Sequence, residues 1–176
     1  MAPDPERSRR RREALAQLLG TDARILAVEE MLERRAVQWA RTVAGQTGAD
    51  VETGAAGTSG VALAGAGPTL FAWPELPRWL PETGAAALAD LKAGCAASIG
   101  PVFDGRLYLV AVAEPIPGLV EALSRSPTMA RVLRVIEERK LEVGLLRAER
   151  GLRDGDDMRA LLADPLTDPE LLGLLG

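Results

Sequence analysis

Residues Ile99–Ala113 read IGPVFDGRLYLVAVA. One apolar run closes at Pro101, Phe103-Asp104-Gly105 follows, and a second run, Leu107–Ala113, comes straight back. Asp-Gly between two β-type runs is the strongest short-range hairpin signal, and it predicts a type I′ turn with φ > 0 at both central residues. The run LYLVAVA does not alternate between apolar and polar, so it reads as a strand buried on both faces. A strand of that kind lies inside a sheet with helices on either side. The flanking sequence supplies those helices.

Upstream, Thr83 to Ala93 predicts a helix stopped by Gly94, behind a linker, PELPRWLPE, that prolines 74, 77 and 81 keep extended or turned. Short strands are expected near Ala49–Thr53, Val61–Ala64 and Thr69–Trp73. The glycines among them have neither phosphate-loop nor dinucleotide-binding spacing. Thr21-Asp22 caps a helix to about Val43, with Ile25, Val28, Leu32, Ala36, Trp39 and Val43 on one face. Before it, Asp4-Pro5 starts and Gly20 ends a first helix whose opening half is basic. Arg7, Arg9, Arg10, Arg11 and Arg12 make a patch suited to phosphates or another polyanion, or simply a solvated terminus.

Downstream, Leu119–Ser124 reads as a short helix. Ser126-Pro127 starts another that ends near Lys140, and Leu141–Leu146 is a last strand. Asp154 caps GDDMRALLA, and Thr167 and Glu170 stand at capping-box spacing before the closing turn. Asp154, Asp156 and Asp157 could suggest a metal, but acids in a first helical turn serve caps and the helix dipole. Strands alternating with helices predict an α/β three-layer sandwich, Rossmann-like, with a mixed, mostly parallel sheet.

The 176 residues suit one domain: a basic N-terminal helix (1–20), a core (21–163) and a C-terminal helical turn (164–176). The chain contains no histidine, which excludes imidazole catalysis and imidazole metal ligation. One cysteine, Cys95, excludes an intrachain disulfide and a cysteine-cluster metal site, and it reads as a small buried apolar residue. No apolar run approaches the ~20 residues of a membrane helix, and the arginine-rich start lacks a signal-peptide core, so a cytoplasmic protein without a membrane partner is expected. A net charge of −4 argues against nucleic-acid binding.

In order and spacing, residues 69–163 resemble the bacterial glycosyltransferase-A-like family of the nucleotide-diphospho-sugar transferase superfamily. FAWPELP (71–77) stands where that family has a strand ending in S-D-x-P-x-L-P. GPVFDGRLYL (100–109) matches its G-P-x-x-D-G-G-Y-Y-L block, and GLRDGDDMRAL (151–161) its D-x-D-T-P-E-D-L helix start. The resemblance implies a glycosyltransferase-A-like fold and a nucleotide or nucleotide sugar as ligand. It offers Asp104 as candidate catalytic carboxylate, and Gly105, Arg106 and Tyr108 as substrate contacts. Arg9, Arg10 and Arg12 take roughly the place of its basic phosphate loop.

The departures from the pattern shape the functional expectation. The metal-holding carboxylate of the family falls on Ala72, its second glycine is Arg106, and its opening strand has no counterpart in MAPDPERS. Transfer from an activated nucleotide needs charge neutralised on the departing pyrophosphate, usually by a carboxylate-held cation. Asp104 alone is a poor magnesium site. The expectation is therefore a degenerate domain, with the first strand missing, that acts by binding or assembly as a homodimer or with a protein partner. No metal or other cofactor is expected. The alternatives are a metal-independent nucleotide-sugar or nucleotidyl transferase using Asp104 and arginines, and an interaction module docking on an anionic partner through its first helix.

Overall fold

The computed structural model describes residues 13, 15–47, 50–53, 61–64, 67–124 and 127–176. Its frame is a mixed sheet of β1 (Asp50–Thr53), β2 (Val61–Ala64), β3 (Thr69–Ala72), β4 (Ala97–Pro101), β5 (Leu107–Val112) and β6 (Val143–Leu145). The spatial order is β1-β2-β3-β5-β4-β6. Helices α1 (Asp22–Thr47), α2 (Pro81–Lys92), α3 (Leu119–Ser124), α4 (Met129–Glu137), α5 (Gly155–Ala163) and α6 (Pro169–Leu175) complete the α/β architecture. Among the described residues no helix is long and apolar enough to cross a membrane.

The sheet is mixed, as expected, but the balance of its ladders is the reverse of the expected one. Only β4–β6 pair in parallel, and the other four pairings are antiparallel. Following those pairings, β1, β3, β4 and β6 all point the same way. One helical crossover links co-directional strands, β3 to β4 through α2, while α3 and α4 carry the chain from β5 to β6 beside β4. The returning strand β5 then inserts between β3 and β4 and makes both of its own ladders antiparallel.

Strand β5 is buried along its whole length. On one face Leu109 and Ala111 join Leu70 and Ala72 under Trp39, Ala40 and Val43 of α1 and Ala87 and Leu91 of α2. On the other, Val110 and Val112 join Ala97 and Ile99 under Leu119, Leu123, Val132 and Ile136 of α3 and α4. These are the three layers. A third apolar cluster is wholly helical apart from Leu152. Leu15 and Leu19 pack with Ile25, Val28, Met31 and Leu32 of α1 and with Met158, Leu161, Leu171 and Leu175 of α5 and α6.

Local chemistry sets the ends of the elements. The hydroxyl of Thr21 accepts from the backbone N–H of Arg24 at 3.4 Å, and α1 runs four residues past the expected Val43. Pro81 is the first residue of α2 instead of linker, since its missing N–H is unneeded there. Thr128 caps α4, accepting from the N–H of Arg131, and Ser126, the expected cap, lies outside the described residues. Asp154 caps α5 as expected, accepting from the N–H groups of Asp156 and Asp157. The cap of α6 is Asp168, because the Thr167 hydroxyl is turned back to donate to the carbonyl of Leu161 at 2.6 Å.

Candidate functional site

The hairpin that decides the fold also carries the candidate site. Its turn is not type I′. Only Gly105 is left-handed, at φ 81, and Asp104 is not among the residues with positive φ. Gly105 N–H donates to the Val102 carbonyl at 2.9 Å, and Val102 N–H donates to the Arg106 carbonyl at 2.8 Å. That is a three-residue loop, with one αL residue doing the work that two would do in the shorter turn. Asp104 is free to use its side chain: one oxygen accepts from the Arg106 N–H at 3.0 Å and the other from Arg106 Nε at 2.5 Å.

A bulge follows. Gly100 faces Leu109 while Pro101 faces Leu107, so Tyr108 is the extra residue. Its ring lies where a side chain at position 100 would be: a Cβ on Gly100 would sit 2.5 Å from the Tyr108 ring. The Tyr108 hydroxyl donates to the Arg147 carbonyl at 3.0 Å, and its ring meets Trp79 edge-on at 5.9 Å. Burial pushes the phenol pKa up, and Glu149 adds to the shift. Tyr108 is thus a core wedge that ties the hairpin to the loop after β6, and its hydroxyl is already committed.

Arg106 is 5% exposed, and so is Glu75. Glu75 lies in the strap between β3 and α2. Its carboxylate accepts from Arg106 Nη1, while Asp104, 41% exposed at its side chain, holds Nε. Arg153 Nη1 stands 3.6 Å from Asp104. Arg106 Nη2 is buried without a hydrogen-bond partner among the described residues. Burial raises the pKa of Asp104, but hydrogen bonds from Arg106 and the charges of Arg106 and Arg153 outweigh it and hold the carboxyl below its ordinary value. Asp157 moves the other way, raised by burial and by the neighbouring Asp154 charge.

No family model and no curated protein sequence matches the chain. Among solved structures, the crystal structure of a candidate nucleotide-diphospho-sugar transferase from Desulfovibrio desulfuricans G20 is similar, with a TM-score of 0.52. The fold is shared. The aligned part is 20% identical and covers 63% of this chain. It covers 51% of the other, so the chain spans about half the length of that protein.

Within this fold the structure brings Asp104 and Arg106 together and leaves Gly105 exposed at the hairpin tip. It places Tyr108 in the core and Arg106 inside the protein, with two of its guanidinium nitrogens held by Glu75 and Asp104. Arg9, Arg10 and Arg12 lie outside the described residues. The sequence reading missed Glu75. The signal was an acid two residues past Trp73, with a charged Arg106 entering a fully apolar strand and needing a counter-charge.

A divalent cation does not fit these residues. Ala72 is buried and offers no side-chain oxygen, and the carboxylates of Glu75 and Asp104 both face the Arg106 guanidinium. A magnesium ion between them would stand against a fixed positive charge. Among the described residues no group of three or more acids or cysteines is placed to hold a metal.

Proposed function

We propose that this chain is a glycosyltransferase-like domain that works by binding or assembly instead of sugar transfer, and that it does so without a bound metal. One observation carries the reading: Arg106 is buried between Glu75 and Asp104, so the protein's own cation neutralises the carboxylates that would otherwise serve a metal and its diphosphate. The arrangement suits a site that keeps its shape more than one that changes its charge during a reaction. Self-association or a protein partner belongs to the same proposal. Its motive is the edge of the sheet, where the three-residue β6 carries Leu145, 59% exposed.

The test is calorimetry and thermal shift with manganese, alone and with nucleoside diphosphates, on the wild type and on Asp104→Asn. Asparagine keeps the turn chemistry and removes the charge. The expected result is no metal-dependent stabilisation of either protein. Metal-dependent stabilisation of the wild type that vanishes in Asp104→Asn would overturn the proposal in favour of an active transferase.

A further inference from the structure

Between the strap and the loop after β6 lies a cavity of about 390 Å³. Arg78 from the strap and Arg147 and Arg150 from the loop line it, over a floor that includes Leu80, Leu161 and Leu171. Its size is that of a small-molecule site. We infer that it binds a small molecule carrying a phosphate on an apolar body, held by arginine alone with no metal.

The guanidiniums of Arg34, Arg35, Arg106 and Arg159 each donate hydrogen bonds to a carboxylate. Among the described residues Arg78 has no ion-pair or hydrogen-bond partner. Arg147 is 83% exposed and comes no nearer than 3.5 Å to Glu149. Arg150 is 3.6 Å from Asp157, with its guanidinium 5.4 Å from the centre of the Phe103 ring. Three arginines therefore line one concavity, two of them in loose ion pairs and none with a hydrogen-bonded acceptor on its guanidinium.

Two of the cavity's three acids are committed elsewhere, and the third, Glu149, faces Arg147 at 3.5 Å. Asp168 is 2.8 Å from Arg35 and caps α6, accepting from the N–H groups of Glu170 and Leu171. Asp164 accepts from the Leu166 N–H at 2.9 Å.

The arginine-bearing backbone is also fixed in advance on both sides. The strap is held by Arg35 donating to the Pro77 carbonyl at 2.6 Å and by Trp39 Nε1 donating to that of Leu80 at 3.1 Å. The loop is held by Tyr108 on Arg147 and by Glu149 N–H on the Pro101 carbonyl at 3.0 Å. Leu152 N–H on the Glu75 carbonyl, also 3.0 Å, completes the clamp. Planar donors on a fixed backbone are suited to the tetrahedral oxyanion of a phosphate, and prior ordering reduces what binding must spend on the loop. The leucine floor selects a phosphate with an apolar body over the bare ion.

The inference deepens the binding reading above and rests on it. The test is calorimetry in EDTA, with inorganic phosphate and phenyl phosphate as probes, on the wild type, Arg78→Gln, Arg150→Gln and the control Arg134→Gln on α4. Phenyl phosphate is expected to bind the tighter of the two, and to weaken about tenfold or more in Arg78→Gln and Arg150→Gln but not in Arg134→Gln. Arg78 is exposed, so its variant keeps the fold, which an unchanged melting temperature verifies. Equal affinity for the two probes, binding indifferent to Arg78 and Arg150, or no binding at millimolar probe would overturn the inference. Each of those results leaves the manganese test of the Asp104 site untouched, so the two readings fail separately.

Discussion

Glu75→Gln is the most informative single change, because it removes one charge from a pair that both partners bury. The side chains of Arg106 and Glu75 are 6% and 7% exposed, so water screens the pair little. Breaking a buried ion pair from one side costs about 3–5 kcal/mol, since the remaining charge stays desolvated. Two features place this case at the low end. Glutamine still offers an oxygen to Nη1, and Asp104 continues to hold Nε at 2.5 Å. The expected loss is therefore about 3 kcal/mol, or about 6–12 °C in melting temperature at about 2–4 °C per kcal/mol for a chain of this size. The assay is urea denaturation of the wild type, Glu75→Gln, Arg106→Met and the double variant. The double variant removes both charges, so it should lose much less than the sum of the single changes, with a coupling of at least about 1 kcal/mol. Additive losses, or a loss below about 1 kcal/mol in Glu75→Gln, would refute the claim that a desolvated charge pair holds the hairpin to the strap.

Three further outcomes follow from the same geometry. Gly100→Ala should destabilise by about 1–3 kcal/mol, because its Cβ would sit 2.5 Å from the Tyr108 ring, and Tyr108→Leu in the same background should recover part of the loss in a denaturation series. Asp104 has a folded pKa held below its ordinary value of 3.8 by Arg106 and Arg153 against the opposing effect of burial, so its stabilisation is present above that value and is lost as pH falls through the lower folded one; Asp104→Asn should flatten the acid limb of a stability–pH curve below about pH 4. Asp157, raised by burial and by Asp154, has the opposite sign, so Asp157→Asn should cost less at pH 7 than at pH 3, and a larger cost at pH 7 would contradict it.

The helices and strands were legible because each leaves a local signature. The apolar face of α1 from Ile25 to Val43 is buried as its spacing implies, and β5 is buried on both faces. The pairing of the strands was less legible, because ladder direction is a tertiary property. Part of it was still readable. The gaps between β1 and β2 (residues 54–60) and between β2 and β3 (65–68) are too short for a parallel crossover, which takes a dozen residues or more. The insertion of β5 between β3 and β4 leaves no local mark. The caps misassigned at Ser126 and Thr167 show the same limit: several residues near a helix start can cap, and neighbouring contacts decide between them. At Thr167 the competing contact is the bond to the Leu161 carbonyl.

The candidate site was half legible, and the missing half changes its meaning. In the sequence, Asp104 is a turn residue beside an arginine, Ala72 an absent acid, and Arg106 a replaced glycine. The three look like separate departures from the family pattern. In space they form one arrangement, because the strand that ends at Ala72 leads into the strap that delivers Glu75 to the guanidinium of Arg106, while Asp104 closes the other side. An arginine in place of glycine at the start of a buried strand would leave a charge without a partner, at a cost of several kcal/mol. Glu75 removes that cost only from inside the protein, because it is as buried as Arg106 itself. A charge so enclosed is unsuited to following a phosphate through a reaction, and well suited to locking the hairpin onto the strap. The cavity arginines lie one step outward: Arg78, Arg147 and Arg150. Their guanidiniums have no hydrogen-bonded acceptor among the described residues; the loop of Arg147 and Arg150 is held by Tyr108 and the Glu75 carbonyl, and the strap of Arg78 by Arg35 and Trp39. The buried pair thus acts as support: it anchors Glu75, whose carbonyl accepts from the Leu152 N–H of the loop that carries two of those arginines.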